Sequence, residues 1–394
     1  MAQPHAVIVG GGIGGLTTAA ALHDRGWAVT LCERDPSPGA APDVGVGLLP
    51  NGLRALDSLG LGDALRAAAA RPPLVVLRRP DGRVLLRLDQ GKFGEKYGDP
   101  AVVAARSALV RLLLGRLPAR AVHPGVAVTA VEPGDAHRLA RVRTTAGELS
   151  ADLVVAADGA RSTIRAQLFP DVPEPAYAGF TSWRFLAPLP SRPVVAGETW
   201  GRGAVFGVLP LPDGRVYCYA TAGVPAGQRR ADERAELLRL FGDWHEPVPE
   251  LLRSVAPQAV VRSDALVADD PLPAYHVGRV ALVGDAAHAL PPNLDQGVCL
   301  AVEDAAVLAH RASASAAYLP VALASYTDDR LERTRYVVQR VAQFAELAQA
   351  SSPVLARGRD AGIRMVAALA PHRAVHRFLE SILQWRPPRQ GALL

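Results

Sequence analysis

His5-Ala6-Val7-Ile8-Val9-Gly10-Gly11-Gly12-Ile13-Gly14-Gly15-Leu16 decides the fold. A short apolar strand pattern runs into a glycine turn, and Leu16 to Arg25 reads as a helix closed by Gly26. Gly10, Gly12 and Gly15 satisfy G-x-G-x-x-G: the first permits the tight turn, the second lets a pyrophosphate approach the backbone, and the third lets helix and strand pack closely. Phosphate then rests on the free N–H groups of the turn and helix start, Ile13 and Gly14 among them, at the positive end of the helix dipole. A second strand, Ala28 to Cys32, ends at Glu33, 18 residues past the last glycine. A carboxylate there can accept from both hydroxyls of an adenosine ribose. Strand, turn, helix, strand and acid in this order specify a dinucleotide site. They leave open which dinucleotide, because FAD enzymes and NAD-dependent dehydrogenases share this opening.

Two later motifs bear on that choice. Asp152 to Ala157 is an apolar strand that runs into Asp158-Gly159-Ala160-Arg161-Ser162-Thr163, by itself only a turn. Arg279 to Val283 is another buried strand, ending in Gly284-Asp285-Ala286-Ala287-His288. Pro291-Pro292-Asn293-Leu294-Asp295-Gln296-Gly297 follows, then a helix from about Val298 to His310. A charged residue at the carboxyl end of a buried parallel strand lies where open α/β sheets bind ligands.

With these three motifs in order, the chain resembles the single-component, FAD-dependent aromatic hydroxylases with the para-hydroxybenzoate hydroxylase fold. It looks closest to the salicylate, 3-hydroxybenzoate and urate hydroxylase branch. Gly45 to Asn51 (GVGLLPN), Arg106 in AARSALVRLL and Tyr177 to Arg184 (YAGFTSWR) extend the likeness along essentially the whole chain. The resemblance implies an enzyme in which FAD, reduced by NADH or NADPH, reacts with O2 to a C4a-hydroperoxide that attacks an electron-rich ring. It implies that Glu33 holds the adenosine ribose, that Arg34 and Arg106 lie near adenosine and pyrophosphate, and that backbone at Val128 faces adenine. Asp285 would bond the ribityl chain, and Asp158-Gly159 would serve FAD and the passage of NAD(P)H. The helix start at Gly297 and Val298 would face the flavin N1 and C2 carbonyl, where its dipole favours a reduced, anionic ring.

The expected fold class is α/β: a Rossmann-like FAD-binding domain (residues 1–71, 99–173 and 269–330) interleaved with an antiparallel-sheet substrate domain (72–98 and 174–268), then C-terminal helices (331–394). Asp81-Gly82 and Pro212-Asp213-Gly214 read as hairpin turns within the inserted sheet. Tyr336, Val337, Val341, Phe344, Leu347 and Ala348 recur at helical spacing as a packing face.

Composition fits a large globular chain: 394 residues, 49% hydrophobic and 21% charged. The net charge of +5 rests on 41 arginines and two lysines, Lys92 and Lys96. The arginines are spread along the chain, which argues against a nucleic-acid footprint. Cys32, Cys218 and Cys299 lack metal-ligand or disulfide spacing, so no metal is expected, and a cytoplasmic location fits. The apolar stretch Ala6 to Leu22 has no basic flank and is broken by glycines, so no membrane span is expected. The expected partners are a small aromatic substrate, O2 and NAD(P)H.

Phenolic substrates need a nearby base. Several relatives carry a His, Tyr or Arg on the strand before Pro210, but here that strand is Gly203 to Leu209, with nothing ionisable. Urate, salicylate and 3-hydroxybenzoate are therefore disfavoured, and an apolar wall containing Phe206 and Val208 is expected. Tyr217 and Tyr219 share one face of the partner strand. Arg184 and Trp200 point to the same sheet, with Arg184 expected either at substrate or stacked on Trp200. Asp295 replaces a glycine of the family pattern P-x-x-G-Q-G. It is expected either to cap the following helix or to accept a substrate proton beside the flavin. Asp295, Tyr217 and Arg184 are thus the catalytic candidates, whereas His288 is expected to support its loop. Halogenation is disfavoured because no lysine stands in the required context and W-x-W-x-I-P is absent. Epoxidation, Baeyer–Villiger insertion and tetracycline-type inactivation remain open, because they differ in the pocket rather than in motif. A flavin-free dehydrogenase and a non-catalytic flavin-binding protein are the rival classes.

Overall fold

The computed structural model describes residues 3–37, 42–312, 318–369 and 371–388. Residues 389–394 of the expected C-terminal helical segment lie outside the described residues.

Four apolar strands, Val280–Leu282, Leu153–Ala156, His5–Val9 and Ala28–Glu33, lie parallel at the centre of a six-stranded sheet. Val122–Pro124 extends it in parallel, and His276–Val277 closes the other edge antiparallel. Ala6, Val7, Ile8, Val154 and Val155 are fully buried because helices and loops cover both faces, as a parallel sheet requires. Val9 stands beside Ala156, and Ala156 beside Leu282, so these carboxyl ends reach one edge together. The turns at Gly10, Asp158 and Gly284 therefore leave from the same edge. Helix Ile13–His23 packs against helix Gln296–Arg311, closely enough that a Cβ on Gly14 would sit 3.4 Å from that of Ala301.

A second sheet has seven strands, in the order Val261–Val267, Ala176–Pro188, Arg215–Ala222, Ala204–Pro210, Gly197–Trp200, Leu74–Arg78 and Val84–Asp89. It is antiparallel except where Gly197–Trp200 runs parallel to Leu74–Arg78, two segments brought together from distant parts of the chain. The expected turns at Gly82 and Gly214 take left-handed backbone, φ +82° and +79°. One face of this sheet carries Trp183, Phe185, Phe206 and Val208 into a core shared with Leu237, Phe241, Leu251 and Leu252, which lie on helices Glu233–Phe241 and Val248–Ser254. The opposite face looks towards the first sheet and the C-terminal helices.

Those helices are Leu319–Ala348, Pro353–Leu369 and Pro371–Leu383. Of the six residues expected as a packing face, Val337, Val341 and Ala348 are buried. Tyr336 and Leu347 are exposed: Leu347 lines an open cavity with Phe344, and Tyr336 reaches across to the Ser381 hydroxyl. Among the described residues no helix is long and apolar enough to cross a membrane. The stretch Ala6 to Leu22 is instead the central strand and first helix.

Candidate active site

The glycine turn has the geometry of an anion cradle. Gly10 sits at φ +103°, and a Cβ on it would lie 2.5 Å from the Ala157 carbonyl oxygen. On Gly15 a Cβ would lie 2.0 Å from the Gly10 oxygen, so neither position tolerates a side chain. A Cβ on Gly12 would meet nothing within 4 Å. Gly12 is also the N-cap of helix Ile13–His23, which has no side-chain cap and no acid in its first turn. The N–H groups of that turn are left for a ligand.

Glu33 ends its strand beside this turn and accepts from Gly11 N–H at 2.6 Å and Asp35 N–H at 2.8 Å. Arg34 is exposed next to it, and Val126 N–H donates to the Glu33 carbonyl. Val128 itself begins the strand Val128–Glu132 of a separate three-stranded sheet. Arg106 opens helix Arg106–Leu114, its N–H donating to the Val44 carbonyl at 2.7 Å. Asp158 accepts from Ser162 Oγ at 2.6 Å and Ile164 N–H at 3.3 Å, which ties the turn to its following helix. Gly159, at φ +86°, leaves open space above it. Across the edge, a Cβ on Gly297 would stand 3.9 Å from Asp285 Oδ1, so the Asp285 motif and the start of helix Gln296–Arg311, with Val298, converge. Asp285 opens onto this channel, and the protein packed around it raises its pKa against the pull of His288 and Arg184. An uncapped helix start, an open Gly12 and carboxylates beside it fit a dinucleotide with a diphosphate bridge.

A buried ionic knot fixes the Gly284-Asp285 turn. Asp304 Oδ2 accepts from Gly284 N–H at 2.8 Å and stands 2.6 Å from His288 Nε2. Arg330 holds Asp304 Oδ1 at 2.7 Å and Glu303 Oε2 at 2.8 Å, all three groups fully buried. His288 thus supports its loop, as its position in sequence suggests.

Between the seven-stranded sheet and the C-terminal helices lies a cavity of about 630 Å3. Arg184, Tyr217 and Asp295, from three separate segments, meet on its wall. Tyr217 packs against Gly45, whose Cβ would lie 2.1 Å from its ring, with Arg184 nearby. Burial raises the Tyr217 pKa far beyond its usual value, partly offset by Arg184. Asp295 follows Leu294 in left-handed backbone, φ 50° and 58°. Its side chain does not cap the helix, which corrects the capping expectation. It points the other way, against Gly47 of the strand Gly45–Leu48. Burial first, and Glu198 second, push its pKa up to about 6, against Arg184 and the Gly47 N–H.

Two expectations for this wall are corrected, and one residue joins it that the sequence did not single out. Phe206 and Val208 face the opposite core, and Val205 and Leu209 line the cavity instead. Arg184 is turned to Tyr217 and Asp295; the guanidinium over Trp200 belongs to Arg359, 5.4 Å from the ring centre. Glu198, absent from the sequence-based candidates, lines the cavity with its carboxylate bound by Tyr219 and by Trp200 Nε1 at 2.7 Å. Its signal is Glu198-x-Trp200 on one face of a strand, a half-buried carboxylate beside an indole that can donate to it.

Residues 4–341 match the family model described as FAD binding domain. The chain belongs to the FAD-dependent aromatic monooxygenases. This flavoprotein is 35% identical over 364 residues to the aurachin C monooxygenase/isomerase of Stigmatella aurantiaca, covering 91% of this chain and 94% of that one. It is 30% identical to the FAD-dependent urate hydroxylase of Klebsiella pneumoniae, over 87% and 90% of the two chains. The Klebsiella pneumoniae HpxO structure with FAD and uric acid superposes with a TM-score of 0.88 at 26% identity, covering 97% of both chains. A flavin-free dehydrogenase is thereby excluded.

Proposed function

We propose that this enzyme uses NADH or NADPH and O2 to hydroxylate a largely apolar aromatic molecule, with Asp295 as proton acceptor. The observation that carries the reading is the cavity: its lining is mainly aliphatic and aromatic, and Asp295, Arg184 and Tyr217 converge on it beside the Gly297 helix start. FAD would be held by Gly10 to Gly15, Glu33, Arg34, Arg106, the backbone near Val128, Asp158-Gly159, Asp285 and the Gly297-Val298 turn. When bound, it supplies the electron transfer from nicotinamide to O2 by which one oxygen atom enters the ring.

The chain's own part is proton handling. The Asp295 carboxylate takes the proton of a ring hydroxyl, which makes the ring electron-rich; a pKa near the working pH suits a general base. Arg184 keeps the pKa of Asp295 from rising further.

The test follows NAD(P)H oxidation and product mass with a panel of aromatic ligands. A ligand that quickens flavin reduction and gains one oxygen atom supports the reading. NAD(P)H oxidation that no ligand accelerates, with no oxygenated product, overturns it. Asp295→Gly should keep its FAD content and turn over slowly.

A further inference from the structure

Glu198, Gly207, Tyr219 and Arg184 stand side by side on four neighbouring strands, one register across the sheet. Gly207 has no side chain, and the Tyr219 ring occupies that space: a Cβ at Gly207 would lie 2.0 Å from it. Tyr219 therefore crosses a whole strand, and its hydroxyl donates to Glu198 Oε1. Trp200 Nε1 donates to Oε2 at 2.7 Å. Held at both oxygens, the Glu198 carboxylate is fixed in place, and each oxygen keeps a second lone pair for a ligand.

Carboxylates outnumber cations on this wall. Arg184 lines it beside Asp295, Asp285 and Tyr217, with no ion pair within 4 Å among the described residues. Arg359 pairs with Asp360 at 3.0 Å and donates to the Ala348 and Gly201 carbonyls. The polar part of the lining thus sets two carboxylates, Glu198 and Asp295, against the single Arg184 and disfavours a third carboxylate. Most of the remaining lining is hydrocarbon, with Leu88, Phe93, Ile363, Val366, Phe378 and Leu379 in it.

We propose that Glu198 selects the substrate, accepting a hydrogen bond from a neutral ring hydroxyl or N–H and turning away ring carboxylates, while the hydrocarbon part of the lining takes a hydrocarbon chain on that ring. The proposal deepens the hydroxylase reading and rests on it for which end of the ligand reacts. An anionic head would be desolvated against two fixed carboxylates, whereas a neutral donor completes their hydrogen bonding. Each methylene buried against that hydrocarbon lining should tighten binding about three- to fourfold.

The experiment measures binding to the FAD-loaded enzyme by tryptophan fluorescence, with Trp200 in contact with Glu198, and by thermal shift. The probes are 4-ethyl-, 4-butyl- and 4-octylphenol and 4-octylbenzoate. Affinity should climb along the phenol series, and octylphenol should bind about tenfold or more tighter than octylbenzoate, the discrimination expected of a site built to accept a donor. Glu198→Gln should bring that ratio near one, and Val366→Trp should abolish the chain-length gain while leaving ethylphenol binding unchanged. Equal binding of the wild-type enzyme to octylphenol and octylbenzoate overturns the proposal, whatever the variants do, and so does an affinity indifferent to chain length. Tight, selective phenol binding without any oxygenated product would sink the hydroxylase reading and leave Glu198 as the selector of a binding site.

Discussion

The carboxylate of Asp295 lies where a side chain at Gly47 would have to go: a Cβ on Gly47 would stand 2.2 Å from Asp295 Oδ2. The strand Gly45–Leu48 presents glycine at both positions of that face, one against Tyr217 and one against Asp295. Gly47→Ala should therefore push the carboxylate off its site without touching the glycine turn at Gly10 to Gly15. The expected outcome is full FAD content with turnover down about tenfold to a hundredfold, the usual cost of misplacing a catalytic group by an ångström. A Gly47→Ala enzyme with wild-type kcat would show that the position of Asp295 does not matter.

Asp295 also sets a pH dependence. As the proposed proton acceptor it must be ionised, so kcat should rise with pH through about 6 and level off above it. Asp295→Asn should lose that limb together with most of the rate. The stability effect runs the opposite way. A carboxyl with a raised native pKa contributes stability below its unfolded value and loses it as pH climbs through about 6. Asp295→Asn should thus melt higher than wild type at pH 8 and no higher at pH 4, as differential scanning calorimetry would read.

Arg330 is fully buried between Glu303 and Asp304, and Asp304 in turn holds the Gly284 N–H. Burial works against ionised Asp304, but His288 and Arg330 hold its pKa down at about 2. Removing Arg330 leaves Glu303 with Arg333 and Asp304 with His288, each carboxylate short of its fully buried cation. Arg330→Leu should cost about 3–5 kcal/mol in denaturant unfolding. Because the same knot carries the Asp285 turn, the surviving folded protein should also release FAD more readily on dilution.

The nucleotide-binding half was legible because its signals are local. The glycine spacing, Glu33 at a strand end and Asp285 after a buried strand each need only a short window of sequence, and all lie at one edge of the six-stranded sheet. The substrate wall was less legible because it is assembled from distant segments. Glu198 gains its meaning only when Tyr219 reaches it across Gly207, and Trp200 is covered by Arg359 from a C-terminal helix. In Gly203 to Leu209 alternation separates Val205, Gly207 and Leu209 from Phe206 and Val208, but both sets are apolar. Period two alone cannot say which set meets the cavity.

That ambiguity can be tested in solution. Phe206 is fully buried and packs its ring 5.5 Å from Phe241 and 6.3 Å from Phe185 in the core behind the sheet. Leu209 is half-buried on the cavity face. Phe206→Ala should cost about 3–5 kcal/mol of stability, the range for emptying an aromatic site in a core. Its ligand preference should stay that of the wild type. Leu209→Ala should unfold close to wild type and change which aromatic ligands accelerate flavin reduction, bulkier ones gaining most. Chemical denaturation and the ligand panel, run on both variants, separate the two faces. If Phe206→Ala shifted ligand preference with stability intact, the strand would have to sit one residue out of the register described.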